Sequence, residues 1–143
     1  MKASEIISLL PYSQPFLFVD EITQIDADGV EGYYRFSPEL DFYKGHFKGN
    51  PITPGVILTE TMAQIGVVCL GIYLLKYQSK TDISIVMTSS EIDFLKPVYP
   101  NEKVRVFSSK IYFRFGKLKC HVRMLNEKDE EVCSGTIAGI IIS

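Results

Sequence analysis

The chain has 143 residues, of which 46% are hydrophobic and 22% charged, with a formal net charge of -2. That length supports one domain with its own core, so residues 1–143 are expected to fold as a single unit without disulfide or metal staples. The near-neutral balance excludes the sequence-wide basic field that tracks a phosphate backbone, and nucleic acid with it as an expected partner.

Ser4, followed by Glu5 and the apolar residues Ile6, Ile7, Leu9 and Leu10, predicts a short helix capped by Ser4 and stopped at Pro11. The stretch around it is broken by Pro11 and Pro15 and ends at Asp20, which is poor signal-peptide grammar. Phe16 to Ile25 is rich in aromatic and β-branched residues, and Asp26-Ala27-Asp28-Gly29 is turn chemistry leading into Val30 to Phe36. Together they predict a β-hairpin.

From Ser37 to Pro54 the chain is loop-like, with Gly45, Gly49, Asn50, Pro51 and Pro54 set among aromatic residues. Loops of that length in compact domains tend to be functional. Thr53 then offers an N-cap and Pro54 a first helical residue, opening an apolar helix over Val56 to about Tyr77. Its longest apolar run, Ile65 to Leu75, is too short for a ~30 Å bilayer at 1.5 Å per residue, so a buried helix without membrane insertion is expected.

Four strands follow, at Ile83 to Leu95, Lys103 to Phe115, Leu118 to Asn126 and Val132 to Ile142, in what reads as antiparallel meander order. One long apolar helix with long strands implies an α+β fold, an antiparallel sheet wrapped around the helix. The three cysteines, Cys69, Cys120 and Cys133, are odd in number and without CxxC or zinc-ligand spacing. Buried thiols in a reducing cytoplasm are the expectation.

The segment GHFKGNPITPGVILTETMAQIG, Gly45 to Gly66, combines a loop histidine, a Gly-Asn-Pro turn, a Pro-Gly helix start and a glutamate fourteen positions after the histidine. It closely resembles the signature of the bacterial 3-hydroxyacyl-(acyl-carrier-protein) dehydratases. Leu10-Pro11 with Pro15-Phe16-Leu17-Phe18-Val19-Asp20, and Ile92-Asp93-Phe94 with Pro97-Val98-Tyr99-Pro100, extend the resemblance over roughly residues 10 to 100.

That resemblance implies a hot-dog fold and a hydro-lyase acting on 3-hydroxyacyl thioesters carried by an acyl carrier protein, in fatty-acid or related acyl-chain synthesis. Removing a weakly acidic α-proton and a β-hydroxyl needs a base, an acid and an oxyanion site. His46 suits the base, because a neutral imidazole is well populated near neutral pH. Glu60 suits the acid, since a carboxylate on so apolar a helix is costly to bury ionised.

The first-turn amides supply the third element, at the positive end of the helix dipole. The family resemblance assigns the Gly55 amide to the thioester carbonyl, with Thr53 a competitor for it as a cap, and places Val56 and Phe47 against substrate. Gln64, four residues after Glu60, is on the same helix face and can orient its carboxylate. The resemblance also implies that histidine and acid come from different subunits, hence a homodimer at minimum, with a trimer of dimers left open.

Glutamate rather than aspartate at position 60 resembles the branch that dehydrates without isomerising. No metal or organic cofactor is expected, because an acid-base pair and a helix terminus suffice.

Other features have plainer readings. His121 sits in a strand with no acid beside it and reads as structural. Phe42, Tyr43 and Phe47 line an acyl tunnel or belong to the core. Lys44, Lys48, Lys96, Lys103, Arg114 and Lys117 are a carrier-docking patch or solvated surface, with Lys96 the best single candidate.

The chain departs from the family at Tyr12 and Ser13, where histidine and arginine are common, and keeps only Lys96 of several basic residues before Pro97-Val98. Those departures suit a specialised pathway as well as a housekeeping one. The competing functions are a hot-dog thioesterase and a non-catalytic acyl-carrier-binding partner subunit.

Overall fold

The computed structural model describes residues 2–75 and 84–142. A short helix α1 (Ala3–Ser8) leads to a six-stranded antiparallel sheet of β1 (Glu21–Ile25), β2 (Gly29–Arg35), β3 (Ser84–Phe94), β4 (Lys103–Arg114), β5 (Lys117–Leu125) and β6 (Glu131–Ile142). The long helix α2 (Gly55–Leu74) lies between β2 and β3 in sequence.

α1 starts with Lys2 at its N-cap, and no side chain caps it. Ser4 therefore lies inside the first turn and is not the cap its sequence context suggests. The expected hairpin of β1 and β2 is present: Asp26 Oδ1 accepts the amides of Asp28 at 2.7 Å and Gly29 at 3.0 Å. This is the side-chain-to-backbone turn that Asp favours. Strand structure begins only at Glu21, because upstream backbone groups are spent elsewhere, Phe16 N–H on Ser13 O and Phe18 N–H on the Gln64 side chain.

The sheet order is β1-β2-β4-β5-β6-β3. This corrects the meander, which holds only for β4, β5 and β6. β3 pairs with β6 from Ser84↔Ile142 to Phe94↔Cys133, and β4 lies beside β2 from Gly29↔Ser109 to Arg35↔Lys103. The cause lies in the connection 95–102, which contains Pro97 and Pro100 and is too long for a tight turn. It crosses past the start of α2, held by Thr53 N–H to Val98 O at 2.8 Å, Phe36 N–H to Glu102 O at 3.0 Å and Asn101 N–H to Phe36 O at 2.6 Å.

The inward face of the sheet is apolar at alternate positions, including Val104 and Val106 on β4 and Leu118, Cys120, Val122 and Met124 on β5. α2 lies against it, with Met62, Ile65 and Leu70 fully buried. Contact is close at Gly66, where an added Cβ would come within 2.9 Å of Val122 Cγ1 and 3.1 Å of Ser108 Cβ. Ser108 Oγ donates to Gly66 O at 2.8 Å across that contact.

By length and composition the 20 residues of α2 would cross a bilayer, but 72% of its most apolar window is buried within the protein. Tyr77, the expected end of this helix, lies outside the described residues, as does Ile83. The helix has a π-helical turn over Gln64–Val68, closed by Cys69 N–H to Gln64 O. The three thiols are buried as expected, and burial pushes Cys120 up to about 11 and Cys133 to about 12.

Candidate active site

α2 begins at Gly55, with Pro54 as its N-cap and no side chain capping it. The expected Thr53 cap is not formed. The Thr53 hydroxyl pairs at 2.5 Å with the Tyr43 hydroxyl, and both residues are buried, so Thr53 does not compete for the Gly55 amide. Ile57 and Leu58 N–H groups donate back to Pro54 O at 2.9 and 3.1 Å. The amides of Gly55 and Val56 precede them, at the end of the helix where donors have no intrahelical acceptor and the dipole is positive.

Gly55 borders two cavities. One, about 320 Å³, is lined by Ile52, Thr53, Leu58, Phe94 and Lys96; the other, an open cleft of about 630 Å³, by Val56, Glu60, Met87, Ser90 and Phe94. A Cβ at Gly55 would meet the Phe94 ring at 3.2 Å, so glycine is what leaves the amide open between ring and helix. Val56 is 76% exposed on the cleft side.

Glu60 stands one turn further along α2. Gln64 is fully buried, and its Nε2 donates to Glu60 Oε2 at 3.0 Å and to Phe16 O at 3.1 Å, while its Oε1 accepts the Phe18 amide at 2.8 Å. Three bonds to three partners hold the amide in one orientation, and with it the carboxyl. Burial raises the Glu60 carboxyl above its ordinary range, and the bond from Gln64 partly opposes that shift. The direction favours a carboxylic acid able to donate.

His46 Nδ1 lies 2.8 Å from Ile52 O. A carbonyl only accepts, so Nδ1 carries the proton and the neutral ring presents Nε2 as its basic lone pair. Phe47 stacks on the imidazole, with centroids 4.5 Å apart and planes at 29°, and is 58% exposed with φ at +59°. Phe47 thus flanks the histidine from the solvent side, whereas Tyr43 is core.

Glu60 lines two cavities among the described residues, and His46 lines neither of them. Lys96 borders the smaller cavity at Gly55, but its ammonium is paired with Glu130 at 2.5 Å. His121 is exposed on β5. No group of three or more His, Cys, Asp or Glu with metal-binding geometry occurs among the described residues.

The FabA-like domain family matches residues 10–133. This chain belongs to that family. Among curated relatives, it is 30% identical over 144 residues to the 3-hydroxyacyl-(acyl-carrier-protein) dehydratase FabZ of Lactobacillus helveticus, covering 99% of this chain and 93% of that one. It is 36% identical over 106 residues to the FabZ of Nitratidesulfovibrio vulgaris, covering 71% of this chain and 66% of the other.

Among solved structures, the dehydratase heterocomplex ApeI:P of Xenorhabdus doucetiae superposes with a TM-score of 0.81 at 10% identity, covering 96% of this chain and 91% of that one. A hypothetical thioesterase of Streptococcus pneumoniae, solved with coenzyme A, gives 0.65 at 17%, covering 86% and 85%. At such identities both speak for the hot-dog fold alone.

Three residues that line these cavities, Tyr12, Met87 and Ser90, were not singled out as site residues from the sequence. Tyr12, noted only as a departure, lines a cavity together with Glu60. Met87 and Ser90 of β3 line the cleft, and no local sequence signal marks them, since they arrive by the pairing of β3 with β6.

Proposed function

We infer that this chain is a 3-hydroxyacyl-(acyl-carrier-protein) dehydratase, forming trans-2-enoyl thioesters in acyl-chain synthesis. The observation that carries the residue roles is the Gln64-held carboxyl of Glu60 beside the Gly55 helix start, together with an imidazole whose Nδ1 is occupied by Ile52 O. His46 Nε2 takes the proton from C2, the electron pair forms the C2–C3 double bond, the C3–O bond breaks, and Glu60 protonates the departing hydroxyl to give water. The Gly55 amide holds the thioester oxygen, where such donors typically contribute roughly 3 kcal/mol to barrier lowering. Val56 borders the substrate path.

The site is completed between two copies. β3 is a long edge strand with Val86, Met87 and Phe94 between 42% and 50% exposed, an unprotected edge of the kind that pairs with another chain. A homodimer joined along β3 supplies His46 of one subunit to Glu60 of the other. The protein acts in the cytoplasm, residues 1–143 fold as one domain, and Lys96 marks the carrier-facing side.

The test follows conjugated alkene formation from a carrier-linked 3-hydroxyacyl thioester with the unmodified protein, His46→Ala and Glu60→Gln. Each variant is expected to lose the reaction, and release of free thiol without alkene would instead make the protein a thioesterase. Mixing the two inactive variants should restore part of the activity, because one site of each mixed dimer is intact. If refolded mixtures stay inactive, the shared site is wrong.

A further inference from the structure

Beside Glu60 a second, inner space adjoins the cleft. The open cleft at Gly55 and a smaller cavity of about 40 Å³ share Glu60 and Met87. The inner cavity runs between α2 and the paired strands β3 and β6, walled by Ala63, Val67, Ile85, Ile137 and Gly139. Its only polar side chains are Glu60 and Tyr12.

The walls leave no slack. A Cβ at Gly139 would lie 2.7 Å from Ile85 Cγ2 and 3.5 Å from Val67 Cγ1, so helix and strands are already in contact around the space. Tyr12 is itself held: its ring packs on Phe16 at 6.4 Å, and Phe16 on the buried Phe18 at 5.1 Å. Burial, then the charge of Glu60, pushes its phenol up to about 12, so it remains neutral beside an acyl chain.

A thioester tethered to a carrier protein enters from the open side, so the chain beyond the hydroxyl-bearing carbon must point inward, past Glu60. Resting on the dehydratase reading, we propose that Tyr12 forms the closed end of the acyl channel and restricts this protein to short 3-hydroxyacyl chains. The inner cavity is small, about 40 Å³, and leaves room for only a short stretch of acyl chain. The preferred substrates are then short, and longer chains require the Tyr12 ring to move.

Two series test this, each spanning acyl chains of four to about ten carbons: dehydration rates with 3-hydroxyacyl thioesters, and affinities for unreactive acyl-pantetheine amides measured by calorimetry. The native protein should favour the short members in both. Tyr12→Ala should move the optimum to longer chains, by on the order of tenfold in affinity for every two further methylenes admitted. Tyr12→Phe, which keeps the bulk, should keep the native profile. Tyr12→Leu should fall between them and serves if the alanine variant does not fold.

A native protein that handles ten carbons as well as four overturns the proposal. So does a Tyr12→Ala profile that matches the native one, or a Tyr12→Phe shift as large as that of Tyr12→Ala. Affinities that shift with Tyr12 while no chain is dehydrated would leave the channel end standing and remove the dehydratase reading instead.

Discussion

Replacing Gln64 by leucine separates the structural and chemical roles of one buried amide. Leucine is close in size, so the cavity contribution is small, and what changes is hydrogen bonding. The Phe18 amide, on a residue 1% exposed, loses its 2.8 Å acceptor and finds no water. An orphaned buried donor costs about 1–3 kcal/mol, whereas Phe16 O, on a residue 47% exposed, can turn to solvent. The expected loss is therefore about 2 kcal/mol, read as a lower urea midpoint at an unchanged slope and at matched protein concentration.

The same substitution removes the donor that lowers the Glu60 carboxyl, so Glu60 should titrate higher still. If Glu60 is the acid, its protonated form persists to higher pH and the basic limb of the pH–rate profile moves up. A stability loss below about 0.5 kcal/mol, or a basic limb that moves down, would refute this account of Gln64.

Gly55→Ala would set a methyl against the Phe94 ring at 3.2 Å while leaving the amide in place, so catalytic efficiency should fall with little change in melting temperature, and Gly55→Ala with Phe94→Leu should recover part of it. Gly135→Ala puts a Cβ 1.8 Å from the Glu91 carbonyl oxygen on the paired strand; since backbone cannot yield, unfolding measurements should show a loss of about 3 kcal/mol or more, or no folded protein. Glu60 is raised in the folded state, so its ionisation weakens the fold as pH rises from the ordinary carboxylate range through the raised value. Glu60→Gln should gain stability relative to the native protein across that window, and a difference flat with pH would contradict it. Cys120 and Cys133, buried and raised to about 11 and 12, should resist alkylation near neutral pH until the protein unfolds, as mass spectrometry before and after denaturation would reveal.

Local chemistry was legible wherever it is written in neighbouring residues. The Asp26 turn, the start of α2 to within a residue and the Glu60–Gln64 pair all follow from short-range spacing, because a turn or one helical face involves residues only two to four apart. The caps expected of Ser4 and Thr53 did not form, since a hydroxyl takes whichever partner packing offers, and for Thr53 that was Tyr43.

The order of the sheet was beyond the sequence, because β3 and β6 meet across a long separation and nothing in either strand names its partner. With that pairing came the cleft wall of Met87 and Ser90, the exposed edge along β3 and the small space that Glu60 and Tyr12 line. The sequence by itself thus determined the α+β composition, the motif residues and the chemistry they suit, since these depend on residue type and near spacing. Only the tertiary structure decided which strands enclose the helix and which residues line the cavities beside Glu60, because both depend on contacts between residues far apart in the chain.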